Sequence, residues 1–171
     1  NEGNLEAARQ LAADFPHVST VCLGGESRQG SVAAGLAQAG DWEWVAVLDG
    51  ARPCTDAGLI VRTIEAARET GAAVAAGCVT DTIKESDADG FVARHINRDS
   101  LRAVQTPQAF QLKVICQALK AVRDQARRVT DDTAACELIG QPVKLVESDT
   151  PNPKVTRASD LPWIEQLLRG Q

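Results

Sequence analysis

The chain carries 171 residues, 18 Lys and Arg against 23 Asp and Glu for a net charge of −5, and 44% hydrophobic residues. That length supports one domain with a real core. The acidic balance excludes a non-specific nucleic-acid partner, which needs a basic face, although a local cluster of cations can still hold an anionic substrate against a distant acidic surface.

Leu5, Ala8, Leu11 and Ala12 recur at helical spacing and predict a helix over 4–14, ended by Pro16. Val18 to Leu23 reads as a short strand. Gly24-Gly25-Glu26-Ser27-Arg28-Gln29-Gly30-Ser31 follows, then an Ala-rich helix to about Ala39. A glycine pair before a helix N-terminus can bind an anion, because free N–H groups and the helix dipole point the same way. It also fits a plain strand–turn–helix joint.

Val45-Ala46-Val47-Leu48 is an unbroken apolar run leading into Asp49-Gly50-Ala51-Arg52-Pro53. Such a run predicts a strand buried on both faces, ending near Asp49 because Pro53 cannot continue it. Asp56 is placed to cap a helix over 57–70, with Ile60, Ile64 and Ala67 inward and Gly71 as its stop. Ala72 to Val79 is a second buried strand. The resulting β-α-β-α-β order predicts an α/β fold with a doubly wound, mostly parallel sheet.

Polarity then rises. Extended segments on either side of Asp87-Ala88-Asp89-Gly90 predict a β-hairpin that projects as an arm over about 80–98. A helix over 112–126, a capped helix after Thr130-Asp131-Asp132-Thr133, a strand at 143–146 and a last helix after Ser159-Asp160 complete the chain. Residues 1–171 are read as a single domain.

Cysteines stand at 22, 54, 78, 116 and 136, with no CxxC pair. They are read as buried, reduced thiols of a cytoplasmic protein, without zinc or thioredoxin-like chemistry. No apolar run suits a bilayer span, so no membrane partner is expected. His17 and His95 lack a nucleophile–base setting. The cations Arg28, Arg52, Lys84, Arg98 and Lys154 lie instead at strand ends or in the hairpin. Ligands bind outside the carboxyl ends of such strands, and phosphoryl-transfer sites are electrostatic clamps assisted by a metal.

In order along the chain come Gly24-Gly25 with Arg28 and Ser31, Asp49 with Arg52-Pro53, Asp81-Thr82-Ile83-Lys84, and Arg98. Gln105-Thr106-Pro107-Gln108, Thr130-Asp131-Asp132 and Lys154-Val155-Thr156 with Asp160 follow. From about residue 18 onward the chain resembles the 2-C-methyl-D-erythritol 4-phosphate cytidylyltransferases. The resemblance implies a nucleotide-binding doubly wound fold and transfer of CMP from CTP to a sugar-alcohol phosphate, with Mg²⁺ and release of pyrophosphate. It implies a homodimer in which each hairpin arm completes the partner's site. By matched position, Gly25, Glu26 and Ser31 hold the nucleotide, and Asp49 holds the metal. Gly50, Arg52 and Thr106 face the sugar phosphate, joined across the dimer by Thr82 and Arg98, and Lys154 steadies the reacting phosphates. Arg supplies a bidentate fork, Asp a hard oxygen ligand and Lys a compact charge.

The chain departs from the family pattern at Leu48 and Gly50, where the family has histidine and alanine, and at Pro153, where it has isoleucine. The family also opens with a strand, a Gly-rich loop and a lysine that cradle the triphosphate. This sequence starts at Asn1-Glu2-Gly3, contains no Met and shows no such loop. An N-terminal nucleotide-binding part is therefore expected to be absent or unrecorded, and the chain by itself to be nearly inactive. Two other readings stay open at this point: a ribitol 5-phosphate cytidylyltransferase, and a catalytically silent dimeric domain of the same fold.

Overall fold

A computed structural model describes residues 2–170. Helix α1 spans Glu2–Ala12 and α2 spans Arg28–Leu36. Strand β1 (Trp44–Val47) leads to α3 (Ala57–Thr70) and β2 (Ala72–Cys78). Strands β3 (Ile83–Ser86) and β4 (Val92–Ile96) form a separate antiparallel hairpin. Strand β5 (Arg102–Gln111), α4 (Leu112–Asp124), α5 (Asp132–Glu137), β6 (Lys144–Glu147) and α6 (Leu161–Arg169) follow.

The main sheet has the order β1-β5-β2-β6. Strands β1, β2 and β6 run in one direction, and β5 runs against them between β1 and β2. Side chains alternate between the two faces, as the period of a strand requires. Val45, Val47, Ala72 and Phe110 join the core under α4 and α5, whereas Trp44, Ala46, Ala73 and Ala109 pack with Ile64 and Ala67 of α3. Helices therefore cover both faces, in agreement with the α/β reading.

Local chemistry sets the element ends. Asp56 accepts a hydrogen bond from the Leu59 N–H at 2.9 Å and starts α3; Gly71, at φ 91°, stops it in a conformation that suits only glycine. Asp131 caps α5 by accepting from the Ala134 N–H. The Asp160 carboxylate accepts from the backbone N–H groups of Thr156 and Arg157 at the entry to α6, and these bonds hold its pKa below the ordinary carboxylate range.

One expected element is missing, and one that the sequence did not announce is present. Residues 18–23 form no strand: they pair with nothing in the sheet, and Val18 and Leu23 stand exposed. An apolar pattern makes a strand only where an edge accepts its backbone groups. Conversely, β5 is the longest strand described, although Pro107 argues against a central strand. The β2–β5 register explains how the proline is tolerated. Val74 faces Gln108 and Ala76 faces Val104, so Gln105, Thr106 and Pro107 bulge opposite Ala75 and no ladder bond is asked of the proline. The thiols also differ from the reading: Cys54 and Cys136 are buried, but Cys22, Cys78 and Cys116 are exposed.

Candidate active site

The site lies where β1 ends beside the β5 bulge. The Asp49 backbone N–H donates to Thr106 Oγ1 at 3.0 Å, tying the strand end to the bulge. Three cations converge on the Asp49 carboxylate. Lys154 Nζ donates to Oδ2 at 2.9 Å, Arg52 Nε lies 3.8 Å from Oδ2, and Arg28 Nε lies 4.0 Å from Oδ1. They come from three separate segments: the start of α2, the turn after β1 and the extended return after β6.

The return segment is anchored to the turn. The Val155 N–H donates to Ala51 O at 2.8 Å, and Arg52 NH1 donates to Asn152 O at 2.5 Å. Burial pulls the Arg52 pKa down from its ordinary value, and the nearby Asp49 charge opposes that pull. Arg52 Nε is buried and has no hydrogen-bond partner.

Behind Arg28 stands Asp132, whose side chain is fully buried and accepts from Arg28 NH1 at 2.7 Å. Burial raises the Asp132 pKa, while the Arg28 charge and hydrogen bond work against the rise. Its other oxygen, Oδ1, has no partner. Neighbouring Asp131 is held by Gln108 Nε2 and Thr133 Oγ1, at 3.0 and 2.7 Å.

The loop before α2 is close-packed. A Cβ on Gly25 would come within 2.8 Å of the Gly30 backbone, so only glycine fits there. Ser27 caps the helix by accepting from the Gly30 N–H at 3.0 Å. The Ser31 hydroxyl donates to Ser27 O at 3.0 Å and lies 3.4 Å from Gly25 O, so it braces the loop. Glu26 is exposed on the same loop, and Gly50 is exposed in the turn after Asp49.

Of the residues singled out in the sequence, the structure thus gathers Arg28, Asp49, Arg52, Thr106 and Lys154. The hairpin residues stand apart. Thr82 is exposed, Lys84 lies beside His95 at 3.2 Å, and Arg98 donates to Thr80 O across the hairpin base. The sequence assigns no site role to Asp132, which it shows only within the capping run and the Thr130-Asp131-Asp132 motif, nor to Asn152. Both are buried and both hold site cations. The signal for Asp132 was the repeated aspartate: one residue caps the helix, leaving the next free to turn inward. Cys136 is no nucleophile here, since burial pushes its thiol up to about 12.

One carboxylate beside three cations fits Mg²⁺ held partly by substrate phosphates. Among the described residues there is no group of three or more His, Cys, Asp or Glu that could hold a metal. Magnesium, however, is commonly held by one or two carboxylates together with substrate phosphates. Asp49 offers such a carboxylate, beside cations suited to phosphates.

Comparison with known proteins shows the family. The family model described as IspD, 2-C-methyl-D-erythritol 4-phosphate cytidylyltransferase, matches residues 1–170. The enzyme of that name from Dehalococcoides mccartyi is 40% identical over 171 residues, covering 99% of this chain and 74% of the relative. That from Geobacillus kaustophilus is 42% identical, covering 100% of this chain and 75% of the relative. The crystal structure of 4-diphosphocytidyl-2C-methyl-D-erythritol synthase from Anaerococcus prevotii superposes with a TM-score of 0.90 at 28% identity, covering 99% of this chain and 76% of that one. This chain belongs to the 2-C-methyl-D-erythritol 4-phosphate cytidylyltransferase family.

Proposed function

We propose that the site around Asp49 transfers a cytidylyl group from CTP to 2-C-methyl-D-erythritol 4-phosphate, a step of isoprenoid biosynthesis. An oxygen of the sugar phosphate attacks the α-phosphorus of CTP. The new O–P bond forms as the bond from that phosphorus to the oxygen bridging to the β-phosphorus breaks, and pyrophosphate leaves with the electron pair. The observation that carries this reading is the convergence of Arg28, Arg52 and Lys154 on one strand-end carboxylate. Phosphoryl transfer needs little covalent help from a protein; it needs positioning and preorganised charge.

In this reading Gly25 and Glu26 hold the nucleotide on the close-packed loop, and Ser31 keeps the loop in shape. Gly50, Arg52 and Thr106 face the sugar phosphate. Lys154, a point charge on a flexible stem, follows the charge that develops at the reacting phosphates. Asp49 would hold Mg²⁺, which when bound neutralises phosphate charge. Arg98 and Thr82 serve the site of a partner subunit in a homodimer, a role supported by the exposure of the whole hairpin apart from Ile83 and Ile96. The reaction is placed in the cytoplasm, a reading supported by five unpaired cysteines; no helix among the described residues is long and apolar enough to cross a membrane.

The test is Asp49→Asn in a chain that also carries the family's Gly-rich N-terminal loop. Turnover should fall at least about 100-fold, the size expected for losing one preorganised charge-stabilising group, with a flattened Mg²⁺ response and an unchanged melting temperature. Undiminished turnover with the same Mg²⁺ response would contradict the reading.

A further inference from the structure

Asn152 is a buried amide, 4% exposed, that satisfies every polar atom of its side chain. Its Nδ2 donates to Thr106 O at 2.8 Å and to Gln105 Oε1 at 3.1 Å. Its Oδ1 accepts from Thr55 Oγ1 at 3.1 Å. Its backbone carbonyl accepts from Arg52 NH1. One residue therefore joins the β5 bulge, the turn after β1 and the return segment. The position of its carbonyl is set by three side-chain bonds, so the direction of the Arg52 guanidinium is set as well.

The consequence appears in what Arg52 leaves over. An arginine free to choose would close a two-point fork on the carboxylate beside it, because that pairing is the strongest available. Here NH1 is taken by Asn152 O, and Nε stays 3.8 Å from Asp49 with no hydrogen-bond partner. A buried N–H without a partner costs free energy, and it is the part of the Arg52 side chain left open, 12% exposed, that a phosphate can approach. We infer that Asn152 is the positioning residue of the site: it holds Arg52 off Asp49 so that the guanidinium stays available to the phosphate of the acceptor substrate. This inference rests on the proposed role of Arg52.

The chain itself serves for the test, read by nitrogen NMR of its arginine side chains and by calorimetry with 2-C-methyl-D-erythritol 4-phosphate. In the unsubstituted protein, Arg52 should show a slowly exchanging Nε–H and distinct terminal N–H resonances from hindered rotation. In Asn152→Ala, and in the isosteric Asn152→Asp, which cannot donate to Thr106 O, those signatures should average out. Affinity for the sugar phosphate should fall about tenfold or more. Ile164→Val, a buried change in α6, supplies a mildly destabilised control that should keep both. Averaged Arg52 resonances in the unsubstituted protein would overturn the inference even if neither Asn152 variant folds. So would an Asn152 variant that folds and keeps the signatures. Arg52→Ala separates the two readings. If it leaves sugar-phosphate affinity unchanged, the role of Arg52 fails. If it weakens binding and Asn152→Ala does not, the positioning role fails alone.

Discussion

Arg28 stands between two carboxylates, 2.7 Å from buried Asp132 and 4.0 Å from Asp49. Removing one partner of a buried pair leaves an uncompensated charge, which costs more than the pair contributes. Arg28→Ala should therefore destabilise the fold by roughly 3 kcal/mol near neutral pH, measured by denaturant unfolding. The pH dependence follows from Asp132, whose folded pKa is raised. The stability tied to such a group is fully present below the unfolded carboxyl pKa and is lost as pH rises through the folded value. Without Arg28 the folded value climbs further. The penalty of Arg28→Ala should therefore be small in acid, where Asp132 is protonated, and grow upward through that window. Arg28→Ala with Asp132→Asn should recover most of it, and a penalty independent of pH would contradict the account.

Each element of the sheet asks a different amount of its side chains. Phe110 is fully buried on β5 beneath α4, so Phe110→Ala should cost roughly 3–5 kcal/mol in thermal or denaturant unfolding. Phe91→Ala, in the bend just before β4 and 72% exposed, should cost almost nothing in the same experiment. Equal losses would mean that the hairpin belongs to the core. The same contrast shows which parts of the fold were legible in the sequence. β1, β2 and α3 announced themselves by apolar runs and by Asp56 and Gly71, whose roles are local. The order of the sheet did not, because β5 enters between β1 and β2 from far along the chain and carries a proline that only its bulge accommodates. The stretch 18–23 misled for the opposite reason: its pattern is local, but a strand needs a neighbour. At the site, Asp49 and Arg52 could be read from a strand end. Asn152 could not, because nothing in an extended Asn-Pro segment announces its three side-chain partners.

The hairpin gives the proposed homodimer its physical argument. An isolated two-stranded hairpin is marginal in water, and this one leaves Phe91 and Val92 exposed. A two-fold partner would cover both arms with equal surfaces. If Arg98 of the partner subunit completes the site around Arg52, then chains that also carry the family's Gly-rich N-terminal loop and bear either Arg52→Ala or Arg98→Ala should each be nearly inactive alone. After verified subunit exchange, the mixture should regain activity, because one mixed site carries both arginines. Absence of rescue would mean that Arg98 serves its own chain or none.

The reaction itself is tested most directly by identifying the product. A chain carrying the family's Gly-rich N-terminal loop is incubated with CTP, Mg²⁺ and either 2-C-methyl-D-erythritol 4-phosphate or ribitol 5-phosphate, and the products are weighed by mass spectrometry. A cytidine diphosphate ester of methylerythritol is expected, with one pyrophosphate released per ester and far less product from ribitol 5-phosphate. Preferential formation of the ribitol ester, or no ester from either acceptor, would contradict it.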